Sequence, residues 1–123
     1  MTTNSKKTLI IGASDKPQRY ANIALNMLQN HGHEVEGIAK REMQNSGIDI
    51  HKGQPTFDDI DTVTLYLSAK YQPEYYDYIL SLNPRRVIFN PGTENSELYS
   101  ILKEKGIDVE IACTLVLLST NQY

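Results

Sequence analysis

Short apolar runs alternate with longer amphipathic segments along this chain, and this alternation restricts the fold more than any other feature of the sequence. The apolar runs are rich in β-branched residues, which is typical of strands buried on both faces. Between them, apolar side chains recur at the spacing of one helix face. The predicted strands are residues 8–13, 34–39, 62–67, 87–89 and 109–112. The predicted helices are residues 20–30, 73–82 and 96–105.

Strands that alternate with helices predict parallel strands joined by right-handed helical crossovers. We therefore predict an α/β fold, with a single Rossmann-like, doubly wound domain over residues 1–123. It should have about five parallel strands in the order 3-2-1-4-5, flanked by helices. Residues 1–6 are expected to form a loose N-terminal tail. Residues 48–50 are interpreted as a short edge piece, and residues 115–118 as a short helix or strand.

Charge, hydropathy and cysteine content exclude several classes of protein. The chain has 12 basic and 15 acidic side chains, and the net charge of −3 argues against nucleic acid as the main partner. Its apolar runs are much shorter than the roughly 20 residues that a membrane-spanning helix needs, so no membrane partner is expected. Cys113 is the single cysteine and has no partner for an internal disulfide, which favours a cytoplasmic location.

The turn after the first strand has features of an anion-binding loop. In doubly wound sheets, ligands bind beyond the carboxyl ends of the strands. Gly12 lets the backbone approach a phosphate, and Lys16 and Arg19 add cations beside the start of the next helix. The alternative is a tight turn capped by Ser14. The dinucleotide fingerprint requires glycines at positions 12, 14 and 17, but Ser14 and Pro17 replace two of them, which is a poor match to NAD binding.

The ends of the later strands add further candidates. Lys40 and Arg41 follow the second strand, where proteins that bind NAD usually place an acid. Two cations there suit an additional ribose phosphate, as in NADP or coenzyme A; the alternative is a solvated basic pair in a loop. Leu67 and Ser68 follow the third strand and suit one wall of an adenine slot. Residues 90–93 form a turn after the fourth strand that should face the first loop.

At these loops the chain resembles the small stand-alone CoA-binding proteins, which share the Rossmann-like CoA-binding domain of succinyl-CoA synthetase α subunits. The stretches that carry the resemblance are GASDKPQRYAN (residues 12–22), HGHEVEGIAKR (31–41), DTVTLYLS (61–68), FNPGTEN (89–95) and ACT (112–114). They extend over nearly the whole chain. One departure is Ala21, where relatives often have a small hydroxyl residue. The resemblance implies that the ligand is coenzyme A or an acyl-CoA.

The resemblance also implies which residues bind that ligand. Its first loop, with Lys16, would hold the diphosphate, and Lys40 and Arg41 would lie near the ribose 3′-phosphate. Leu67 and Ser68 would line the adenine and ribose, and residues 90–93 would border the diphosphate or the pantetheine. The implied binding residues are Gly12, Ala13, Ser14, Lys16, Pro17, Arg19, Tyr20, Asn22, Lys40, Arg41, Leu67, Ser68, Asn90, Pro91, Gly92 and Thr93.

The sequence shows no catalytic constellation and no metal-ligand spacing, so we expect a protein that is not an enzyme. The expected function is non-catalytic binding of coenzyme A or an acyl-CoA, with a carrier, sensing or regulatory role. One alternative is an NADP-binding, oxidoreductase-like protein. The other is an oligomeric interaction module with a vestigial nucleotide pocket. A homodimer or a protein partner would then use the tyrosine-rich segment at residues 71–78, since aromatic patches mark interfaces.

Overall fold

Seven strands form one sheet in the computed structural model, whose described residues are 5–123. The strands are β1 (Thr8–Ile11), β2 (Val35–Ala39), β3 (Met43–Asn45), β4 (Ile48–Lys52), β5 (Thr62–Leu65), β6 (Arg86–Phe89) and β7 (Asp108–Ile111). Their order across the sheet is β3-β4-β2-β1-β5-β6-β7. All neighbours are parallel except β3 and β4, which form an antiparallel hairpin.

Helices cover both faces of the sheet. They are α1 (Tyr20–Asn30), α2 (Tyr76–Leu82), α3 (Ser96–Glu104) and α4 (Thr114–Ser119), and short 3₁₀ turns span Ala69–Tyr71 and Pro73–Tyr75. On one face, Leu25 and Leu28 of α1 pack with Ile10 of β1. On the other, Ile79 of α2 and Leu98 of α3 pack with strand side chains that point the opposite way. Successive side chains of a strand point to opposite faces, and both faces are covered by helices. The strand sequences are therefore continuous apolar runs.

The predicted α/β class and doubly wound sheet are confirmed, but the sheet has seven strands rather than five. The additional strands are β3 and β4, and β4 occupies the third position of the predicted order, beyond β2. Counted along the chain without the antiparallel β3, the parallel strands lie in the order 3-2-1-4-5-6, which is close to the prediction. The strand predicted third, at Thr62–Leu65, is therefore the fourth, and it lies beside β1.

The crossing from one side of β1 to the other creates a switch point at its carboxyl end. The chain continues from β1 to β2 on one side, and β5 lies on the other. Gly12 makes the exit turn with a φ of +94°, and a Cβ there would lie 3.0 Å from the backbone C and O atoms of Tyr66. Position 12 therefore requires glycine, because the positive φ and the lack of space for a Cβ both exclude a larger residue.

The described part of the predicted tail consists of Ser5 and Lys6, since residues 1–4 lie outside the described residues. The Lys6 amide donates a 2.9 Å hydrogen bond to Nδ1 of His33, and Nζ donates to the carbonyl oxygen of Tyr123 at 2.8 Å. Among residues 5–123, no helix has the length and apolar character needed to cross a membrane.

Candidate ligand-binding cleft

A cleft of about 560 Å³ opens at the carboxyl ends of β1, β2, β5 and β6. This volume lies within the range of small-molecule sites. The residues predicted as ligand contacts that line it are Gly12, Ala13, Ser14, Lys16, Arg19, Tyr20, Lys40, Arg41, Leu67, Ser68, Pro91, Gly92 and Thr93. The lining residues that the sequence did not predict are Asp15, Ala21, Ala39, Met43, Tyr66 and Tyr75. The structure thus gathers the four predicted loops into one concave site.

Pro17, Asn22 and Asn90 were also predicted as ligand contacts, but they do not line this cleft. Asn22 is buried, and its side-chain amide donates a 3.1 Å hydrogen bond to the carbonyl oxygen of Ser14. This bond connects the first loop to α1, so Asn22 positions the loop from the protein interior rather than from the cleft.

Asn90 is held inside the protein at the end of β6. Its Nδ2 donates to Oγ1 of Thr64 at 2.6 Å and to the carbonyl oxygen of Leu65 at 2.9 Å. Its Oδ1 accepts a hydrogen bond from the amide of Thr114 at 2.8 Å. Asn90 therefore links the ends of β5 and β6 to the start of α4, and these bonds use its side-chain groups within the fold.

The first loop presents its anion-binding groups beyond Ala13. The amides of Gly12 and Ala13 both donate to the carbonyl oxygen of Ile38 at 3.0 Å, so they hold the loop against β2. The Ser14 hydroxyl oxygen accepts from the Lys16 amide at 3.1 Å, which caps the turn and leaves the hydroxyl proton free to donate.

The start of α1 faces the cleft without a side-chain cap. Arg19 is the N-cap residue, has extended φ and ψ, and makes no capping hydrogen bond, and the first turn of α1 contains no acidic residue. Arg19, Tyr20 and Ala21 all line the cleft. Uncapped amides and the positive end of the helix dipole favour an anion at this place.

The cleft concentrates positive charge. Within residues 5–123, the basic side chains that line it are those of Lys16, Arg19, Lys40 and Arg41, and the one carboxylate is that of Asp15, which gives a formal charge of +3 (4 minus 1). The whole chain has a net charge of −3. The charge of the cleft is therefore opposite in sign to the net charge of the chain, and this charge would attract a polyanion.

Two of these cations already make contacts across the mouth of the cleft. Arg41 Nη2 lies 3.6 Å from Asp15 Oδ1, which connects the loops after β2 and β1. Lys40 Nζ lies 4.6 Å from the ring centroid of Tyr71, which follows β5. Both cations are exposed, so these contacts are weak and a phosphate group can replace them.

The described residues that line the other half of the cleft are uncharged. It is formed by the loops after β5 and β6, where Leu67, Ser68, Tyr75, Pro91 and Thr93 line the wall. The cleft is thus divided into a cationic half beside β1 and β2 and a neutral half beside β5 and β6.

A buried glutamine that sequence reasoning missed joins the two loops of the neutral half. Gln72 is fully buried, and its Nε2 donates to the carbonyl oxygens of Leu67 at 2.9 Å and Thr93 at 2.8 Å. Its Oε1 accepts from Nδ2 of Asn95, the N-cap residue of α3, at 2.8 Å. No sequence pattern indicates this role, because Gln72 lies between two 3₁₀ turns rather than at a strand end.

The tyrosine-rich segment contributes mostly to the core. Tyr75 and Tyr78 are buried, and the Tyr78 hydroxyl donates to the carbonyl oxygen of Pro55 at 2.7 Å. Tyr71, by contrast, is 42% exposed. The two buried rings are therefore unavailable to a protein partner.

Cys113 lies outside the cleft. It is half-buried at the N-cap of α4 and is not a lining residue. Within residues 5–123, no cluster of three or more His, Cys, Asp or Glu side chains has an arrangement that would hold a metal ion.

Comparison with known proteins agrees with this geometry. A family model described as a CoA binding domain matches residues 6–119. The uncharacterized protein YneT of Bacillus subtilis (strain 168) is 25% identical over 103 residues, covering 83% of this chain and 76% of that protein. A crystal structure of an uncharacterized protein is 47% identical, with a TM-score of 0.95 and coverage of 98% of this chain and 100% of that one.

A hypothetical protein from Pyrococcus horikoshii OT3 is 27% identical, with a TM-score of 0.85 and coverage of 95% of this chain and 84% of that one. The fold is thus shared with solved structures over almost the entire chain. Because the family model extends over nearly all the residues, including every loop of the cleft, the chain belongs to the CoA binding domain family.

Proposed function

We propose that this protein binds coenzyme A or an acyl-CoA in the cleft without catalysis, and serves as a carrier, sensor or regulator. The observation that carries the proposal is the cationic half of the cleft, with a formal charge of +3 in a chain whose net charge is −3. Membership of the CoA binding domain family supports a CoA-type ligand.

The arrangement of charge matches the phosphates of coenzyme A. Lys16 and Arg19 flank the uncapped start of α1, where a diphosphate would meet backbone amides and two cations. Lys40 and Arg41 stand after β2, on the side of the cleft where the ribose 3′-phosphate would lie. In this proposal the phosphate displaces Arg41 from Asp15 and Lys40 from Tyr71.

The non-catalytic part of the proposal is supported by the chemistry of the lining side chains. Asp15 is the one carboxylate among the described lining residues, and it is paired with Arg41. Cys113 and the three histidines of the chain are not among the lining residues. The cleft thus presents cations and neutral donors rather than a base beside a nucleophile.

Equilibrium binding followed by recovery of the ligand tests both parts of the proposal. Acetyl-CoA is titrated into the protein by calorimetry, and the ligand is then recovered and analysed by mass spectrometry. The proposal predicts stoichiometric binding and unchanged acetyl-CoA after prolonged incubation. Release of free coenzyme A by the protein would contradict the non-catalytic role, and the absence of any binding would contradict the ligand.

A further inference from the structure

The neutral half of the cleft is lined by a buried tyrosine whose hydroxyl group has no hydrogen-bond partner among the described residues. Tyr75 lines the cleft and is only 8% exposed. Its Oη makes no hydrogen bond within residues 5–123, whereas the hydroxyls of Tyr76 and Tyr78 donate to Glu97 and Pro55. Unlike the hydroxyl oxygens of Tyr66 and Tyr99, which are sealed from solvent, the Tyr75 hydroxyl oxygen is not completely enclosed. The hydroxyl therefore keeps contact with solvent, and Tyr75 is one of the residues that line the cleft.

The position of Tyr75 is fixed by its surroundings. Its amide donates a 2.8 Å hydrogen bond to the carbonyl oxygen of Gln72, the buried residue that also holds Leu67 and Thr93. Its ring packs against that of Tyr78, with centroids 6.5 Å apart. A side chain held in this way loses little conformational entropy when a ligand binds, so its hydroxyl is pre-organised.

The hydroxyl is a hydrogen-bond donor at neutral pH. Burial raises the pKa of Tyr75, and the neighbouring carboxylate of Glu74 raises it further, so the phenol stays protonated. The cationic half of the cleft already matches charged phosphates. A neutral donor in the neutral half instead matches a neutral acceptor such as a carbonyl oxygen.

We propose that the Tyr75 hydroxyl donates a hydrogen bond to a carbonyl oxygen on the arm of the ligand that carries its amide and thioester groups. The inference rests on the proposed function, and it assigns to this arm the part of the neutral half beside Tyr75 and residues 91–93, since Leu67 and Ser68 are the expected contacts of the adenine and ribose. Tyr75 then distinguishes a ligand with that arm from a bare nucleotide. The acceptor is either an amide carbonyl, present in coenzyme A itself, or the thioester carbonyl of an acyl-CoA.

Calorimetric titration of a Tyr75→Phe variant with three ligands tests the inference. The ligands are coenzyme A, acetyl-CoA and adenosine 3′,5′-bisphosphate, which has no amide arm. We expect the variant to bind acetyl-CoA about fivefold more weakly than the wild type, which is the usual effect of losing one hydrogen bond. Binding of adenosine 3′,5′-bisphosphate should be unchanged. A matching loss with coenzyme A identifies an amide acceptor, and a loss confined to acetyl-CoA identifies the thioester.

Tyr78→Phe is the matched control, because it removes a tyrosine hydroxyl from the same segment without touching the cleft. It should bind all three ligands as the wild type does. If Tyr75→Phe binds acetyl-CoA like the wild type, or loses affinity equally for adenosine 3′,5′-bisphosphate, the inference is wrong while the proposed function stands. If the wild type binds neither coenzyme A nor acetyl-CoA, both are wrong.

Discussion

At the scale of single residues, the two basic side chains after β2 lead to the most specific prediction about ligand binding. Replacing Lys40 and Arg41 together by glutamine should weaken binding of coenzyme A by about tenfold or more, because the two cleft cations that we propose as partners of the 3′-phosphate are lost. Dephospho-CoA lacks that phosphate and should be affected much less. The measurement is the ratio of the two dissociation constants, in the wild type and in the variant.

The control for that change is the double replacement of Lys103 and Lys105 by glutamine, since these two exposed lysines lie at the end of α3, away from the cleft. It alters the net charge equally and should leave the ratio unchanged. Equal losses for both ligands in the Lys40 and Arg41 variant would contradict the 3′-phosphate assignment.

His33 gives the molecule a dependence of stability on pH. Burial lowers the pKa of His33 below 6.5, and the charges of Lys6, His31 and Arg86 lower it further, against a smaller opposing effect of Asp61. The unfolded chain therefore binds a proton more readily than the folded one. The free energy of unfolding is then highest above pH 6.5 and falls as the pH drops from 6.5 through the lower pKa of the folded state.

Urea unfolding between pH 5 and 8 measures this dependence. His33→Gln should flatten the change between pH 6.5 and 5, whereas His31→Gln should retain most of it. A wild-type stability that increases as the pH falls below 6.5 would contradict the assignment.

Residue roles were predictable where they follow from position in a parallel sheet. Lys40, Leu67 and Pro91 follow strands whose carboxyl ends share one edge, so the sequence sufficed to place them at a common site. Asn22 and Asn90 belong to the same stretches of sequence, but their amides bond to carbonyl groups of the chain. Sequence alone does not distinguish these two uses of an asparagine beside a turn.

At the scale of elements, Gln72 determines how the loops after β5 and β6 stand relative to each other. Gln72→Leu should lower the free energy of unfolding by about 1–3 kcal/mol, because it leaves the buried carbonyl group of Thr93 and the half-buried one of Leu67 without their donor. The same change should weaken acetyl-CoA binding, since both loops line the neutral half of the cleft. Chemical denaturation and calorimetry measure the two effects.

Gln54→Leu is the matched control, because the Gln54 amide also donates to a carbonyl oxygen, that of Glu74 at 2.8 Å, but the residue is exposed. Its stability and binding should differ little from the wild type. If Gln72→Leu were as stable as Gln54→Leu, the two-loop connection would not be important to the fold.

The elements that sequence predicted well are those whose own pattern defines them. Helix α1 lies at the predicted residues 20–30, because apolar spacing marks its face and Gly32 follows its end. The β3–β4 hairpin was missed except for the edge piece at residues 48–50. Its strands are short and half-exposed, its turn uses Ser46 and Gly47 at positive φ, and β4 is defined by pairing with the distant β2.

At the scale of the whole molecule, topology and charge meet at one place. The switch point brings four loops together, and those loops carry four of the 12 basic side chains of an acidic protein. The position of the cleft was predictable from the alternation of strands and helices. Its division into a cationic and a neutral half was not, because the neutral half depends on Gln72, which joins the loops after β5 and β6 by hydrogen bonds, and on Tyr75, which lines the cleft from a turn beyond the strand end.

The most direct test of the central claim is a thermal unfolding panel on the wild-type protein with coenzyme A, dephospho-CoA, NADP and NAD at equal concentration. A ligand at 100 times its dissociation constant stabilises a fold by about 2.7 kcal/mol, which raises Tm by several degrees. We expect the largest rise in Tm with coenzyme A, a smaller one with dephospho-CoA and little with NAD. A larger rise with NADP than with coenzyme A, or no rise with any ligand, would contradict the central claim.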